Sequence, residues 1–169
     1  SLLYGLTGSI GFREISLVLV SHPPGALGAV AVGMVLVAFG YKVAVAPFHL
    51  WAPDVYQGAP TSSAALIASA SKLAGVALFW RLLWSGLGPA SGGVNLLSSG
   101  PGGWVLVVAG MAAASLVLGN LVALAQRNLR RLLAYSAIGH AGGLALGLLA
   151  AGEVGPGPLF YYAATYGLA

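Results

Sequence analysis

Three side chains able to carry a proton, Lys42, Lys72 and His140, fall close to the middle of three long apolar runs, at residues 26–58, 61–84 and 132–151. A charged side chain at the centre of a bilayer costs about 2.5–3.5 kcal/mol even on a lenient insertion scale, so such residues mark the passage of ions or protons. Buried lysines titrate near neutral pH and histidine does so without help, which makes both suited to proton exchange. A fourth candidate, His49, follows Lys42 by seven residues, about two turns of an unbroken helix. Together they read as a lateral row of proton-exchange sites at one depth. Each also has a plainer reading. The lysines can snorkel to headgroups or pair with a carboxylate. His49 can cap carbonyls freed by a helix break, and His140 can be a packing residue.

The elements that must position these groups follow from composition. With 59% hydrophobic and only 6% charged residues, against roughly a quarter charged in soluble domains, the chain is an integral membrane protein. Its mean hydropathy is +0.93. About 20 apolar residues cross the hydrocarbon as a helix, so 169 residues hold about four to six spans. The apolar runs are continuous and do not alternate with polar residues, which removes a β-barrel. The expected fold is an all-α, polytopic transmembrane helix bundle, one membrane domain over residues 1–169. The chain has no cysteine, which excludes disulfides, thiolate metal sites and a cysteine-ligated iron–sulfur cluster. Phosphate-cradling motifs, metal-ligand spacings and a nucleophile with an oriented base are also missing, so self-contained soluble-type enzyme chemistry is not expected.

Residues 1–10 read as a helix end closed by Thr7-Gly8-Ser9, and 11–25 as a connector with Arg13, Glu14, His22, Pro23 and Pro24. As one straight helix, 26–58 would be about 50 Å long against a core of about 30 Å. Pro47 and Pro53 predict that it is discontinuous, because each removes a backbone donor and crowds the preceding turn. The run 61–84 is rich in small residues, Ala64, Ala65, Ala68, Ser69, Ser71 and Gly75, which predicts a closely packed interior helix. Trp51, Tyr56 and Trp84 fit interfacial anchors. An uncharged Gly/Ser/Pro loop at 85–103 leads to a span at 104–124, a basic turn at 126–131 and the span at 132–151. Glu153 to Pro158 then break the chain before a last run, 159–169, that stops without a helix-end signal, so a piece of a longer protein is expected. Of a net charge of +4, Arg127, Arg130 and Arg131 sit in one turn, which the positive-inside rule puts in the cytoplasm together with 56–60. The connectors 11–25 and 85–103 then face outward. Asp54 is expected to cap a half-helix or pair with a base. No carboxylate falls in a predicted membrane layer, so the acid opposite a buried lysine is expected from outside these residues.

Tyr41-Lys42, the run Pro47-Phe48-His49-Leu50-Trp51-Ala52-Pro53-Asp54-Val55-Tyr56-Gln57-Gly58-Ala59-Pro60, Ala70-Ser71-Lys72-Leu73-Ala74 and Leu132-Leu133-Ala134-Tyr135-Ser136-Ala137-Ile138-Gly139-His140 carry a resemblance. The chain resembles the antiporter-like, proton-pumping membrane subunits of respiratory complex I, most closely the N type. Sister subunits of the L and M type read Pro-Leu-His and Leu-Pro-Asp-Ala where this chain has Pro47-Phe48-His49 and Ala52-Pro53-Asp54-Val55. The resemblance implies a proton-translocating subunit of NADH:quinone oxidoreductase, a translocase with no redox chemistry on this chain. NADH, flavin, iron–sulfur clusters and quinone would belong to partner subunits, and no cofactor or metal to this one. Its partners would be the other membrane subunits and the lipid bilayer, with no nucleic acid, in a bacterial-type inner membrane or an equivalent energy-coupling membrane. By the same resemblance Lys42 pairs with a glutamate on an earlier helix, Lys72 passes protons onward and a later lysine completes the path; neither the glutamate nor the later lysine is in these residues. Asn128, Leu129 and Arg130 stand where the superfamily often has Asp then Lys, so a proton-exchange role is not carried over to that turn. Two alternatives stay open: a cation/proton antiporter subunit that binds a cation at the break, and a structural membrane-arm subunit with inert lysines.

Overall fold

The computed structural model describes residues 1–22, 25–91 and 103–168. Pro23 and Pro24 of the first connector, residues 92–102 of the Gly/Ser/Pro loop, and Ala169 lie outside the described residues. Nine α-helical segments are described: α1 Leu2–Thr7, α2 Phe12–Ser21, α3 Ala26–Val43, α4 Trp51–Gly58, α5 Thr61–Leu66, α6 Lys72–Trp80, α7 Trp104–Leu124, α8 Leu129–Val154 and α9 Gly157–Leu168. A π-helical segment, Ile67–Ser71, joins α5 to α6, and a second, Arg81–Gly86, extends α6, so that Thr61–Gly86 runs as one helix. Among the described residues, four stretches are long and apolar enough to cross a membrane: Ala26–Val43, Thr61–Gly86, Trp104–Leu124 and Leu129–Val154. No strand occurs among the described residues, and the architecture is an all-α membrane bundle.

Lipid tails are as apolar as leucine, so helices in a bilayer associate through close van der Waals contact and small residues at the crossing. The α7–α8 pair is built this way. A Cβ added at Gly119 would lie 2.6 Å from the Gly139 nitrogen, and one at Gly142 would lie 2.9 Å from the Ala112 oxygen. Glycine is therefore required at both crossings. A shared apolar core of Phe39, Val43, Val76, Leu83, Val108, Leu144 and Leu148 ties this pair to α3 and α6, with the Phe39 and Phe79 rings 4.3 Å apart.

Four sequence expectations need correction. Among the described residues the more enclosed helix is α8, about half buried (50%) along its most apolar stretch, against 28% for Thr61–Gly86. Ala64, Ala65, Ala68 and Ser69 instead line a cleft, because small residues permit a neighbour's approach without supplying the neighbour. The connector at 11–25 contains α2, whose Ile15 and Leu19 are buried and whose Phe12 meets Gly86. The spacing 12, 15, 19 is a helical stripe. Trp84 is an internal brace, not an interfacial anchor: its indole N–H donates to the Leu148 carbonyl at 2.9 Å and its ring meets Trp104 edge-on at 5.3 Å. Arg130 and Arg131 belong to the first turn of α8, since the Asn128 side chain accepts from the Arg130 N–H at 2.9 Å and caps the helix there.

Gly119→Val is expected to cost about 1–3 kcal/mol by overpacking and to lower the amount of intact protein in the membrane. Gly110→Val, with nothing within 4 Å of the added carbon, is expected to leave it unchanged. Quantifying both variants in membranes checks this.

Candidate functional site

The site starts where α3 stops. Ala44 adopts φ 62, ψ 50, a left-handed conformation that costs a residue with a Cβ roughly 1–2 kcal/mol. Val45 N–H then bonds the Gly40 carbonyl at 2.8 Å and Ala44 N–H the Tyr41 carbonyl at 3.3 Å, the two bonds of a Schellman cap. Pro47 follows a cis peptide bond and has no N–H to give. In lipid, unpaired backbone groups cost several kcal/mol, so non-helical backbone needs partners from its neighbours. Ser115 of α7, fully buried at 0% exposure, accepts from the Ala46 N–H at 2.8 Å and donates to the Met111 carbonyl at 2.6 Å. Trp51, read from sequence as an interfacial anchor, donates its indole N–H to the Tyr41 carbonyl at 2.9 Å. Gly40 gives room for this return of the chain, because a Cβ there would meet Phe48 at 2.5 Å and Met111 at 2.6 Å.

Lys42 lies in the last turn of α3, where the helix dipole favours a cation. It is exposed among the described residues, and its stem rests near Gly75 of α6, whose added Cβ would stand 3.5 Å from the Lys42 Cγ. Gly75 is one turn beyond Lys72. Lys72 is 4% exposed, follows the π segment, and donates its ammonium proton to the Ala137 carbonyl of α8 at 2.8 Å. Its Nζ stands 5.6 Å from the centre of the Tyr166 ring, within the range of a cation–π contact. His140, one turn beyond Ala137, bonds through Nδ1 to the Tyr162 hydroxyl at 2.7 Å, and its ring lies 4.6 Å from that of Tyr166. His140, Tyr162 and Tyr166 face a cleft of about 780 Å³ whose wall also carries Ser69, Ser136 and Arg130.

Lys42, Lys72 and His140 are thus gathered about α6 and α8. His49 is not joined to them by any hydrogen bond among the described residues, and its Nδ1 is buried without a partner there, so that atom caps no freed carbonyl. Asp54 pairs with Arg131 at 2.7 Å, while Arg131 also reaches the Gln57 side chain at 3.1 Å and Arg130 the Gln57 carbonyl at 3.2 Å. The basic turn thereby fastens α4 to α8. Among the described residues no group of His, Asp and Glu could hold a metal ion. Sequence reasoning missed Ser115, Tyr162 and Tyr166. A lone hydroxyl in an apolar run, and two tyrosines four residues apart on one helix face, were the available signals.

Fold and site together define a multi-helix integral membrane protein with one lysine, Lys72, buried inside the bundle and His140 close to it on the wall of a cleft. The family described as "NADH:quinone oxidoreductase/Mrp antiporter, TM" matches residues 1–169, and the chain belongs to it. NADH-quinone oxidoreductase subunit N 2 of Acidobacterium capsulatum is 52% identical over 100% of this chain and 34% of its own length. Subunit N of Acidithiobacillus ferrooxidans is 43% identical over 99% of this chain and 33% of its own. Among solved structures, respiratory complex I from Thermus thermophilus with bound aureothin contains a chain 39% identical, with a TM-score of 0.73 over 99% of this chain and 32% of that one. A chain of the membrane-bound sulfane sulfur reductase, an archaeal respiratory membrane complex, shares the fold with a TM-score of 0.81 at 24% identity. The chain spans about a third of the length of the relatives it matches.

Ser115→Ala leaves the buried Ala46 N–H unpaired and is expected to cost about 1–3 kcal/mol, whereas Ser115→Thr, which keeps the hydroxyl, costs less. Denaturant unfolding of the purified protein in detergent measures the difference.

Proposed function

We propose that the chain is part of the N-type antiporter-like membrane subunit of a proton-translocating NADH:quinone oxidoreductase, and that protons pass along Lys42, Lys72 and His140. The observation that carries this reading is the Lys72 ammonium of α6, 4% exposed and held by the Ala137 carbonyl of α8, with His140 one turn beyond Ala137. A buried lysine with a single neutral partner changes protonation with small changes in neighbouring charge. In this account electron transfer in partner subunits alters the charge opposite Lys42. Lys42, lying near Gly75, then passes its proton towards Lys72, and Lys72 towards His140. The acid that faces Lys42 belongs to the rest of the subunit.

The chain would work as a translocase component with no redox cofactor of its own; NADH, flavin, iron–sulfur clusters and quinone belong to the partner subunits. In this reading α3 and α4 form one discontinuous membrane crossing, with α3 alone about 27 Å long. The arginine-bearing turn before α8 faces the cytoplasm, and the other membrane subunits pack around the faces left open here. A cation site at the break fits less well, because the Gly40 and Tyr41 carbonyls already accept bonds from Val45, Ala44 and Trp51.

Lys72→Arg tests the proton role directly, since arginine keeps the charge and does not deprotonate in proteins. The expected outcome is pumping slowed by about tenfold or more in closed vesicles driven by NADH:quinone turnover, at equal amounts of assembled complex. Pumping at the parent rate would overturn the proposal.

A further inference from the structure

We infer that the Tyr162 hydroxyl is a proton relay between His140 and water in the cleft beside it. The inference rests on the proton path proposed above and extends it beyond His140. Lys72 is buried behind the Tyr166 ring, whereas His140 and Tyr162 both face the cleft. A proton that leaves Lys72 therefore meets water by way of the His140 side. There the Tyr162 Oη lies 2.7 Å from His140 Nδ1, a short hydrogen bond in which Oη donates when Nδ1 is bare and accepts when Nδ1 carries a proton. The other ring neighbour of His140 is Tyr166, whose ring lies 4.6 Å away and covers it without a hydrogen bond among the described residues.

The bundle makes room for that hydroxyl. A Cβ added at Gly143 would stand 3.2 Å from the Tyr162 Oη, so α8 brings a glycine to the place where the phenol seats. The cleft, about 780 Å³, is roomy for water, which needs about 10–15 Å³ and two to four polar partners; Ser136, Thr165 and Arg130 on its wall are such partners.

The step balances without redox change. With His140 in its cationic form, the Nδ1–H bond breaks as a new O–H bond forms at Tyr162, while the proton already on Tyr162 moves to a cleft water. The phenol is neutral before and after, its new O–H points at Nδ1, and rotation of that O–H towards the cleft readies the relay for the next proton. Run backwards, the same exchange loads His140 from the cleft.

The test is made in the intact membrane complex, with proton pumping and NADH:quinone turnover measured at equal assembly. Tyr162→Phe removes the hydroxyl, and Tyr162→Gln retains a group that can hydrogen-bond to Nδ1 but relays no proton. The relay predicts that both variants slow coupled turnover by about tenfold or more. Tyr161→Phe, on a side chain 74% exposed, stays at the parent rate. Should Tyr162→Phe fail to assemble, Tyr162→Gln alone decides. Parent rates in Tyr162→Gln, or in Tyr162→Phe, with pumping lost in Lys72→Arg would overturn the relay and leave the lysine path standing. Parent rates in Lys72→Arg as well would overturn both.

Discussion

The absence of water in a bilayer core is the constraint on which this structure depends, because every polar group placed there must be satisfied by the protein. The end of α3 leaves several backbone groups to satisfy, and the bonds that do so come from three parts of the chain. Val45 and Ala44 fold back onto Gly40 and Tyr41, Trp51 reaches Tyr41 from α4, and Ser115 receives Ala46 from the middle of α7. Ser115 can stand there because α7 is fixed on α8 by Gly119, Gly139 and Gly142. The glycine crossing of one helix pair and the shape of the break on another are therefore one structural problem. Lys72 obeys the same rule, with the Ala137 carbonyl as its partner. A helix carbonyl has a second lone pair beyond the one used in its own turn, so the lysine is held without breaking α8.

This arrangement keeps Lys72 in place while leaving its charge only lightly compensated. A carboxylate at hydrogen-bond distance would fix the ammonium in its charged form, whereas a carbonyl and the face of Tyr166 stabilise it more weakly. The described carboxylate that finds a cation, Asp54, is spent on Arg131 in the first turn of α8, where it fastens α4. The Asp54–Arg131 pair and the Lys72 ammonium thus meet α8 at different levels. The π segment Ile67–Ser71 ends where Lys72 begins, a location at which such segments often accompany function.

Much of the fold was legible in the sequence because apolar runs of membrane length have few solutions. The all-helical architecture and the lysines and histidine within apolar runs follow from hydropathy, whereas Pro53, read with Pro47 as a helix breaker, sits in the first turn of α4. Less was legible where the outcome turned on which neighbour arrives. Small residues in 61–84 suggested an interior helix, yet among the described residues α8 is the more enclosed one. Phe12, Ile15 and Leu19 formed a helical stripe too short to stand out beside the longer runs. The aromatic residues show the limit most clearly. Trp51 and Trp84 have the composition of interface anchors, and only tertiary structure sets their indole N–H groups on the carbonyls of Tyr41 and Leu148. Tyr162 became visible once α9 brought it against His140, a contact between residues 22 positions apart.

The central claim is that Lys42 and Lys72 act in series on one proton path. A double-mutant cycle tests it most directly: pumping per NADH oxidised in closed vesicles, for Lys42→Ala, Lys72→Ala and the double variant, at matched assembly. Residues in series are non-additive, so the account predicts that the double variant is no worse than the more damaged single one. Losses that multiply, or a single variant that pumps at the parent ratio, would contradict it.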